Sequence, residues 1–489
     1  MLATLLMGTF HFNPTTTLFL SHNNFKFPPV PFSGKLSPSD HRRRRMSRRK
    51  AAGERSRKVP ELRKPPETVA EDIEDLFGDA EIKRIRDSLL GWYALNRREL
   101  PWREPEEDKE KRAYRVWVSE VMLQQTRVQT VVQYFDRWMN KWPTIRHLAD
   151  ASLEEVNEMW AGLGYYRRAR FLLEGAKMIV AEGCPFPKTV SSLQQYPGIG
   201  KYTAGAVASI AFKEVVPVVD GNVVRVISRL KAISANPKDS ATVKRFWELA
   251  TQLVDPLNPG DFNQALMELG ATVCTPSSPS CCSCPVSDQC SALSVSRHDS
   301  SVSVTDYPVK VVKVKQRHDF SAACVVEILG EKEICDGHLA DSKFLLVKRP
   351  DEGLLAGLWE FPSVLLNGEA DLVDRKEAID QFLNEHFGIN PSKTCKIVFR
   401  EHVGEFVHVF SHIRLKIYVE LLTLRLKGGI DLFRKQEKES LPWKCVDSKV
   451  LSSLGLTSSV KKVYTMVEKF KQQKPSNNSV PAKKRNRIS

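Results

Sequence analysis

The chain has 489 residues, which is too long for one ordinary hydrophobic core, so it predicts two or three domains with flanking tails. It contains no run of 18 apolar residues, which argues against a membrane-spanning helix. The net charge of +15 lies in the tails, because residues 1–64 carry 14 Lys and Arg against three acidic residues and residues 461–489 carry nine against one. The part between them has a net charge of about −4, so a DNA-binding face there must be a local patch.

Residues 1–66 are predicted to be a disordered basic tail. The first 39 residues lack Asp and Glu, which is typical of a transit peptide for a mitochondrion or plastid, with a plain disordered terminus as the alternative. The arginines at 42–45 and the run Lys483–Arg485 suit nuclear import signals or solvated tails that touch phosphate. We expect a nuclear protein, with a second, organellar destination left open.

Residues 82–293 predict an all-α domain, since apolar residues recur there at helical spacing and strand patterns are nearly absent. The predicted helices cover 82–93, 116–138, 153–160, 168–182, 203–212, 222–233, 241–253 and 262–273.

Beyond residue 293 the pattern changes. Residues 294–318 have no sustained period and predict an extended connector. Residues 319–470 predict an α+β domain, with strands near 321–329, 344–348, 395–399 and 412–421 and a helix near 375–387. Residues 471–489 predict a disordered basic tail. The predicted fold class is therefore multidomain, with an all-α domain followed by a smaller α+β domain.

Four cysteines are clustered in the loop 274–290 with the spacing C-x6-C-x2-C-x5-C; they are Cys274, Cys281, Cys284 and Cys290. Four soft thiolates in one loop suit either a tetrahedral zinc or an iron-sulfur cluster. The clustering argues against a secreted disulfide framework. Cys282 lies inside the loop but off the pattern, and we treat it as a spare thiol.

A tight Pro-Gly-Ile-Gly-Lys turn lies between two predicted helices and contains Gly198, Gly200 and Lys201. Its backbone N–H groups, at the start of the following helix, can bind a phosphate oxygen of DNA; a plain helix connector is the alternative. One helix later, Asp220 precedes another predicted helix, where an aspartate is usually an N-cap.

The segment 118–126, Val-Ser-Glu-Val-Met-Leu-Gln-Gln-Thr, places the carboxylate of Glu120 among apolar neighbours. A glutamate buried in this way has a raised pKa and can act as a general acid. A paired, partly buried glutamate without a chemical role is the alternative.

Together these motifs resemble the MutY-type adenine DNA glycosylases of the endonuclease III superfamily, over roughly residues 82–470 and most specifically at 118–126. The resemblance implies a helix-hairpin-helix glycosylase domain with one 4Fe-4S cluster on the four cysteines, ahead of zinc, and a Nudix-like lesion-recognition domain. It also implies an enzyme that flips adenine out of duplex DNA and hydrolyses its bond to deoxyribose. The predicted helix at 375–387 lacks the Glu-rich Nudix core, so we do not expect pyrophosphate hydrolysis.

The resemblance implies roles for single residues. Glu120 protonates adenine at N7, Asp220 stabilises the cationic sugar, and Asn222 positions that aspartate. Tyr202 occupies the position at which relatives with lyase activity carry a lysine, which implies a monofunctional glycosylase. The residues implied to contact the substrate are Arg98, Trp102, Arg103, Leu123, Gln125, Tyr165, Glu268, Ser411 and His412.

Two groups within that set have more specific implied roles. Gln125 and Tyr165 match residues that wedge into the base stack beside the flipped nucleotide. Ser411 and His412 match a loop that senses 8-oxoguanine opposite the adenine. The implied partner is double-stranded DNA with an A:8-oxoguanine or A:G mispair; we also expect a monomer that meets replication and repair proteins of unknown identity.

Two other functions stay open. An endonuclease III-like glycosylase for pyrimidine lesions or mismatched thymine shares the fold, but Tyr202 and the C-terminal domain argue against it. A non-catalytic iron-sulfur protein that binds DNA is a second alternative, and the presence of Glu120 and Asp220 argues against that one.

Overall fold

The computed structural model describes residues 76–183, 185–311, 315–330, 342–350, 355–390, 393–410, 412–429 and 441–473. The predicted tail 1–66 with its targeting signals lies outside the described residues. So do Ser411 of the predicted lesion-sensing loop and residues 474–489 of the predicted C-terminal tail. The predictions made for these segments stay predictions.

The first part of the described chain is helical. Its helices are α1 (Asp79–Asn96), α2 (Lys109–Leu123), α3 (Val128–Lys141), α4 (Ile145–Ala149), α5 (Leu153–Trp160), α6 (Arg167–Ala181), α7 (Val190–Leu193), α8 (Lys201–Phe212), α9 (Gly221–Leu230), α10 (Ser240–Leu253), α11 (Pro259–Thr272) and α12 (Ser291–His298). No strand occurs among the described residues of the range 76–311, in agreement with the all-α prediction. Every helix in the described ranges is too short or too polar to traverse a lipid bilayer.

Two apolar cores hold the helices together. The first is built mainly on α2, α3, α6 and α8, and its fully buried side chains include Trp117 and Trp138. The second joins α1, α9, α10 and α11 around Phe246 and Phe262. Full burial of each such ring contributes about 2–3 kcal/mol. Since α8 belongs to the first core and α9 to the second, the segment between these two helices crosses the boundary between the cores.

The single helix predicted for 116–138 is wrong, because the chain forms two helices, α2 and α3, in this region. Asp108 begins α2 by accepting hydrogen bonds from the backbone N–H groups of Glu110 and Lys111. Gln125 has a φ of 55°, in the left-handed region that a right-handed helix excludes. The break leaves the last carbonyl groups of α2 without partners inside the helix.

The extended connector predicted for 294–318 is wrong at both ends. Helix α12 reaches His298, a 3-10 turn covers Val304–Asp306, and the first strand already begins at Arg317. An eight-residue helix makes little more than two turns. In a serine-rich segment that length is too short to produce a visible apolar period.

The C-terminal domain is α+β, as predicted. Its elements are β1 (Arg317–Leu329), β2 (Ser342–Lys348), β3 (Trp359–Glu360), β4 (Ser363–Leu366), α13 (Leu372–Phe387), β5 (Cys395–Val409), β6 (Ile413–Leu426), β7 (Trp443–Val446), α14 (Ser448–Ser453) and α15 (Ser458–Gln473). The strands form one mixed sheet in the order β3-β2-β1-β6-β5, with β4 paired to β1 and β7 to β2. Helix α13 covers one face and α15 the other. Because α15 ends at Gln473, the domain continues past the predicted boundary at 470.

Candidate active site

A cavity of about 560 Å³ opens at the boundary between the two helical cores. Its walls come from α2, α8, the start of α9, and α11. The cavity brings together most of the residues that the sequence implicated in adenine binding and catalysis: Arg98, Trp102, Arg103, Glu120, Leu123, Gln125, Tyr202, Asp220, Asn222 and Glu268. Tyr165, Lys201 and His412 are not among its lining residues.

Glu120 lies in the last turn of α2 and is only 7% exposed. Tyr202, in the first turn of α8, donates a hydrogen bond from its hydroxyl to Glu120 Oε2 over 2.5 Å. Burial raises the pKa of Glu120 to about 7; the Tyr202 hydrogen bond opposes this rise, and the charge of Asp220 adds to it. Glu120 therefore holds a proton in a large fraction of molecules near neutral pH and is able to donate it.

Asp220 is the N-cap of α9, as its position before a predicted helix indicates. Its Oδ1 accepts a hydrogen bond from the backbone N–H of Val223 over 2.7 Å, and its Oδ2 accepts one from Asn222 Nδ2 over 2.7 Å. Burial raises its pKa, while these hydrogen bonds and the charge of Arg225 act in the opposite direction. The same contacts hold the carboxylate in one orientation at the cavity wall, next to the positive end of the α9 dipole.

Glu268 on α11 is a second buried carboxylate of the cavity, and its environment is the opposite of that of Glu120. Its Oε1 accepts a hydrogen bond from Arg98 Nε over 2.6 Å, and its Oε2 accepts bonds from Arg98 Nη2 and Arg103 Nη2 over 2.8 and 2.9 Å. Burial disfavours its charge, but the two guanidinium groups outweigh burial and hold the pKa of Glu268 at about 2. Glu268 thus stays ionised and holds both arginines in place, whereas Glu120 can carry a proton.

Gln125 and Tyr165 lie on two exposed loops, the first between α2 and α3 and the second between α5 and α6. Both have left-handed backbones, with φ of 55° and 48°. Tyr165 is 48% exposed. Gly162 has a φ of 109°, and a Cβ there would collide with the hydroxyl of Tyr134, so the second loop requires glycine at this position.

The predicted phosphate-binding turn leads into α8. Gly198 has a φ of 76°, and Gly200 begins α8 without a side-chain cap, so no capping side chain takes up the first N–H groups of the helix. The Lys201 ammonium lies 3.8 Å from the centre of the Trp247 ring. Trp247 is a residue that sequence reasoning missed, because this contact joins two distant segments and leaves no local pattern.

The four predicted metal ligands lie on the loop after α11. All four are free, partly buried thiols: Cys274, Cys281, Cys284 and Cys290. Arg229 Nη1 donates a hydrogen bond to Cys274 Sγ over 3.2 Å. Burial raises the pKa of Cys284 to about 12, and the charges of the other three thiols add to that rise. Four thiols match an iron-sulfur cluster in the number and softness of the ligands. In the described ranges, no group of three or more His, Cys, Asp or Glu side chains is spaced closely enough to hold a metal ion.

Arg225, one turn into α9, connects the cavity with the cysteine loop. Its Nη2 donates to Asn222 Oδ1 over 2.8 Å, and its Nε donates to the backbone oxygen of Cys274 over 2.8 Å. Sequence reasoning missed Arg225. Its position three residues after Asn222 on one helix places the two side chains on the same face, and this spacing could have identified it.

Residues 118–252 match the HhH-GPD superfamily of base excision DNA repair proteins, and residues 338–466 match the NUDIX domain. The chain is 61% identical over 416 residues to the adenine DNA glycosylase of Arabidopsis thaliana, covering 80% of this chain and 65% of that protein. It is 44% identical over 434 residues to the adenine DNA glycosylase of Mus musculus, covering 80% of this chain and 82% of that protein. The chain belongs to the adenine DNA glycosylase family.

Membership of the adenine DNA glycosylase family confirms the resemblance, and the two family matches confirm the predicted fold class. The matched length is slightly less than two thirds of the Arabidopsis relative. Among solved structures, a thermostable thymine-DNA glycosylase is similar at 28% identity with a TM-score of 0.39, covering 44% of this chain and 98% of that one.

Proposed function

We propose that this adenine DNA glycosylase family member is a monofunctional enzyme that hydrolyses the glycosidic bond of adenine mispaired with 8-oxoguanine or guanine in duplex DNA. The observation that carries the proposal is that Glu120 and Asp220 line one cavity but have different hydrogen-bond partners. Glu120 has a pKa of about 7, and Asp220 is oriented by two hydrogen-bond donors. The cavity volume lies within the range of about 300–1,000 Å³ that is usual for ligand pockets.

In the proposed reaction, the bond between C1′ and N9 breaks and its electron pair goes to the base. Glu120 donates its proton to adenine N7, which makes the base a better leaving group. The sugar becomes an oxocarbenium-like cation, and the oriented carboxylate of Asp220 stabilises it in the low-dielectric cavity. Water then adds its oxygen to C1′ and releases one proton, so that free adenine and an abasic site result.

Tyr202 supports the monofunctional part of the proposal. A lyase step needs an amine that attacks C1′, and the Tyr202 hydroxyl is instead hydrogen-bonded to Glu120. Lys201 is adjacent in sequence but does not line the cavity. Its ammonium contacts the ring of Trp247. We expect abasic sites that break only after alkali treatment.

Recognition of 8-oxoguanine is proposed for the hairpin between β5 and β6, which carries His412. The backbone oxygen of His412 accepts a hydrogen bond from the N–H of Arg317 over 3.0 Å, and the N–H of Phe410 donates to the oxygen of Ile413 over 2.8 Å. These bonds join Phe410 to the start of β6 and His412 to β1. A histidine held in place by backbone hydrogen bonds suits the selection of one opposing base over another.

The function is tested by incubating the purified chain with duplexes that hold adenine opposite 8-oxoguanine, G, C or T. We expect release opposite 8-oxoguanine and G; strand breaks without alkali would contradict monofunctionality. Asp220→Asn should lose adenine release and retain duplex binding. Asp108→Asn makes the same change at the N-cap of α2, outside the cavity, and should keep normal activity. Unchanged turnover in Asp220→Asn would overturn the mechanism.

We also propose that Cys274, Cys281, Cys284 and Cys290 hold one 4Fe-4S cluster. When bound, the cluster would join four points of the loop and fix it against α9, where Arg225 and Arg229 contact Cys274. The test is iron and sulfide content with the visible absorption spectrum. Cys274→Ser should reduce both signals, whereas Cys282→Ser, at the exposed spare thiol, should not. Bound zinc in place of iron would refute the proposal.

A further inference from the structure

Arg168, in the first turn of α6, makes an unusual set of contacts. Its Nη1 donates hydrogen bonds to the backbone oxygens of Val121, Met122 and Gln124 over 2.8, 3.2 and 2.6 Å. Its Nη2 donates to the backbone oxygens of Leu163 and Gly164 over 3.3 and 3.1 Å. One guanidinium group therefore joins the end of α2 to the loop before α6.

The two segments that Arg168 joins each end at a residue with a left-handed backbone. Gln124 is followed by Gln125, with φ of 55°, and Gly164 is followed by Tyr165, with φ of 48°. A non-glycine residue in this region costs about 1 kcal/mol or more and needs outside support. Arg168 bonds the carbonyl group directly before each of them, and its guanidinium lies 5.4 Å from the centre of the Tyr165 ring.

The charge of Arg168 is balanced by backbone oxygens. Among the described residues, no acidic side chain forms an ion pair with it, and burial lowers its pKa to about 10, so it stays charged. The oxygens it binds at the end of α2 carry the negative end of the helix dipole, which favours a cation there. The guanidinium also lies 5.2 Å from the centre of the Trp160 ring, whose Nε1 donates to Gly164 O over 2.9 Å.

We propose that Arg168 is a positioning residue that holds Gln125 and Tyr165 together as one wedge, and so promotes extrusion of adenine from the base stack without taking part in bond cleavage. The inference rests on the proposed function. Extrusion loses stacking and pairing energy, and residues that enter the stack must be held rigidly to replace it. A wedge made of two independent loops would lose conformational freedom at each insertion.

The geometry of arginine matters for this role. Its planar fork presents N–H groups to both loops at once, whereas the ammonium of lysine is a single point with three donors. Arg168→Lys therefore keeps the cation near the end of α2 but does not span both loops. Arg168→Met keeps side-chain length and loses both charge and hydrogen bonds. Arg170→Met is the matched control, since Arg170 lies on the same helix and, among the described residues, pairs with exposed Glu174.

The experiment measures single-turnover adenine release by the full chain on two substrates. One is an intact duplex with adenine opposite 8-oxoguanine; in the other the flanking pairs are mismatched, so that the adenine is already unstacked. We expect Arg168→Met and Arg168→Lys to be about 10- to 100-fold slower on the intact duplex and close to the unmodified chain on the mismatched one. The pH profile should keep its midpoint, and 2-aminopurine beside the adenine should gain less fluorescence on binding. Arg170→Met should match the unmodified chain throughout.

Equal slowing on both substrates, or full rescue by lysine, would overturn the proposal, because the first indicates a general structural defect and the second a role for charge alone. Normal rates in both Arg168 variants would overturn it as well. The unmodified chain reports separately on the proposed function: if it releases no adenine from the intact duplex, it is the proposed function that fails. If Arg168→Met does not fold, the comparison of the two substrates is made with Arg168→Lys alone.

Discussion

Tyr202 donates its hydroxyl hydrogen to Glu120 over 2.5 Å, although the two residues are 82 positions apart in the chain. The donated hydrogen bond favours the ionised carboxylate, so it keeps the pKa of Glu120 below the value that burial alone would set. Burial also raises the pKa of Tyr202 well above its usual range, so the hydroxyl stays a donor at every relevant pH. This contact places the titration of Glu120 near neutrality.

The rate of adenine release should depend on pH through this carboxyl group. The proton donor is the protonated form of Glu120, so the rate should fall as pH rises through about 7. At the acid end, protonation of Asp220 should lower the rate, since its pKa is raised by burial. Single-turnover rates between pH 5 and 9 measure the alkaline limb, and rates at lower pH measure the acid limb. A rate that is flat across pH 6–8 would exclude Glu120 as the acid.

Tyr202→Phe tests the contribution of the hydrogen bond. The substitution removes the donor that lowers the pKa of Glu120, so the alkaline limb of the profile should move to higher pH. Tyr196→Phe is a control, because that hydroxyl contacts Glu182 outside the cavity. An alkaline limb that stays in place or moves to lower pH would show that another group sets it.

Glu120→Gln should abolish adenine release and stabilise the protein at alkaline pH. The pKa of Glu120 rises from 4.5 to about 7 on folding, so the folded state is favoured below pH 4.5 and loses stability as pH rises towards 7. A glutamine does not ionise, so the variant should exceed the unmodified chain by up to about 3 kcal/mol at pH 8. Urea unfolding at pH 5 and pH 8 measures the difference. If the difference in free energy of unfolding between the variant and the unmodified chain does not widen with pH, the raised pKa of Glu120 is contradicted.

The residues that sequence reasoning found belong to local motifs. Glu120 stands in an apolar helical segment, and Asp220 directly precedes a predicted helix, so each pattern is visible within a few residues of sequence. Arg168 leaves no such pattern in the sequence, because the groups it binds are backbone oxygens. An arginine on an amphipathic helix is also expected to lie on the exposed face. The break at Gln125 was missed for a related reason, since glutamine gives no turn signal and the apolar period continues on both sides.

Glu268→Gln should destabilise the protein in a pH-dependent way. The pKa of Glu268 falls from 4.5 to about 2 on folding. Its charge therefore stabilises the folded state above pH 4.5, and this stabilisation is lost as pH falls towards 2. The variant leaves Arg98 and Arg103 without an anion, and we expect a loss of roughly 3 kcal/mol at pH 7. Urea unfolding at pH 7 and pH 3 measures it. Glu248→Gln, which breaks an exposed pair with Lys244, should cost much less, and equal losses in the two variants would contradict the role of burial.

Gly270→Ala should reduce catalysis through the orientation of Asp220. A Cβ at residue 270 would lie 2.6 Å from Cβ of Asn222 and 3.0 Å from its backbone oxygen, so α9 or α11 must shift. Asn222 donates the hydrogen bond that orients Asp220, and a displacement of about 1 Å can lower a rate by roughly 100-fold. Gly91→Ala is the control, since a Cβ there meets nothing within 4 Å and alanine favours the helix by about 1 kcal/mol. Single-turnover rates should separate the two variants, and a Gly270→Ala rate equal to that of Gly91→Ala would show that the position of Asn222 does not limit catalysis.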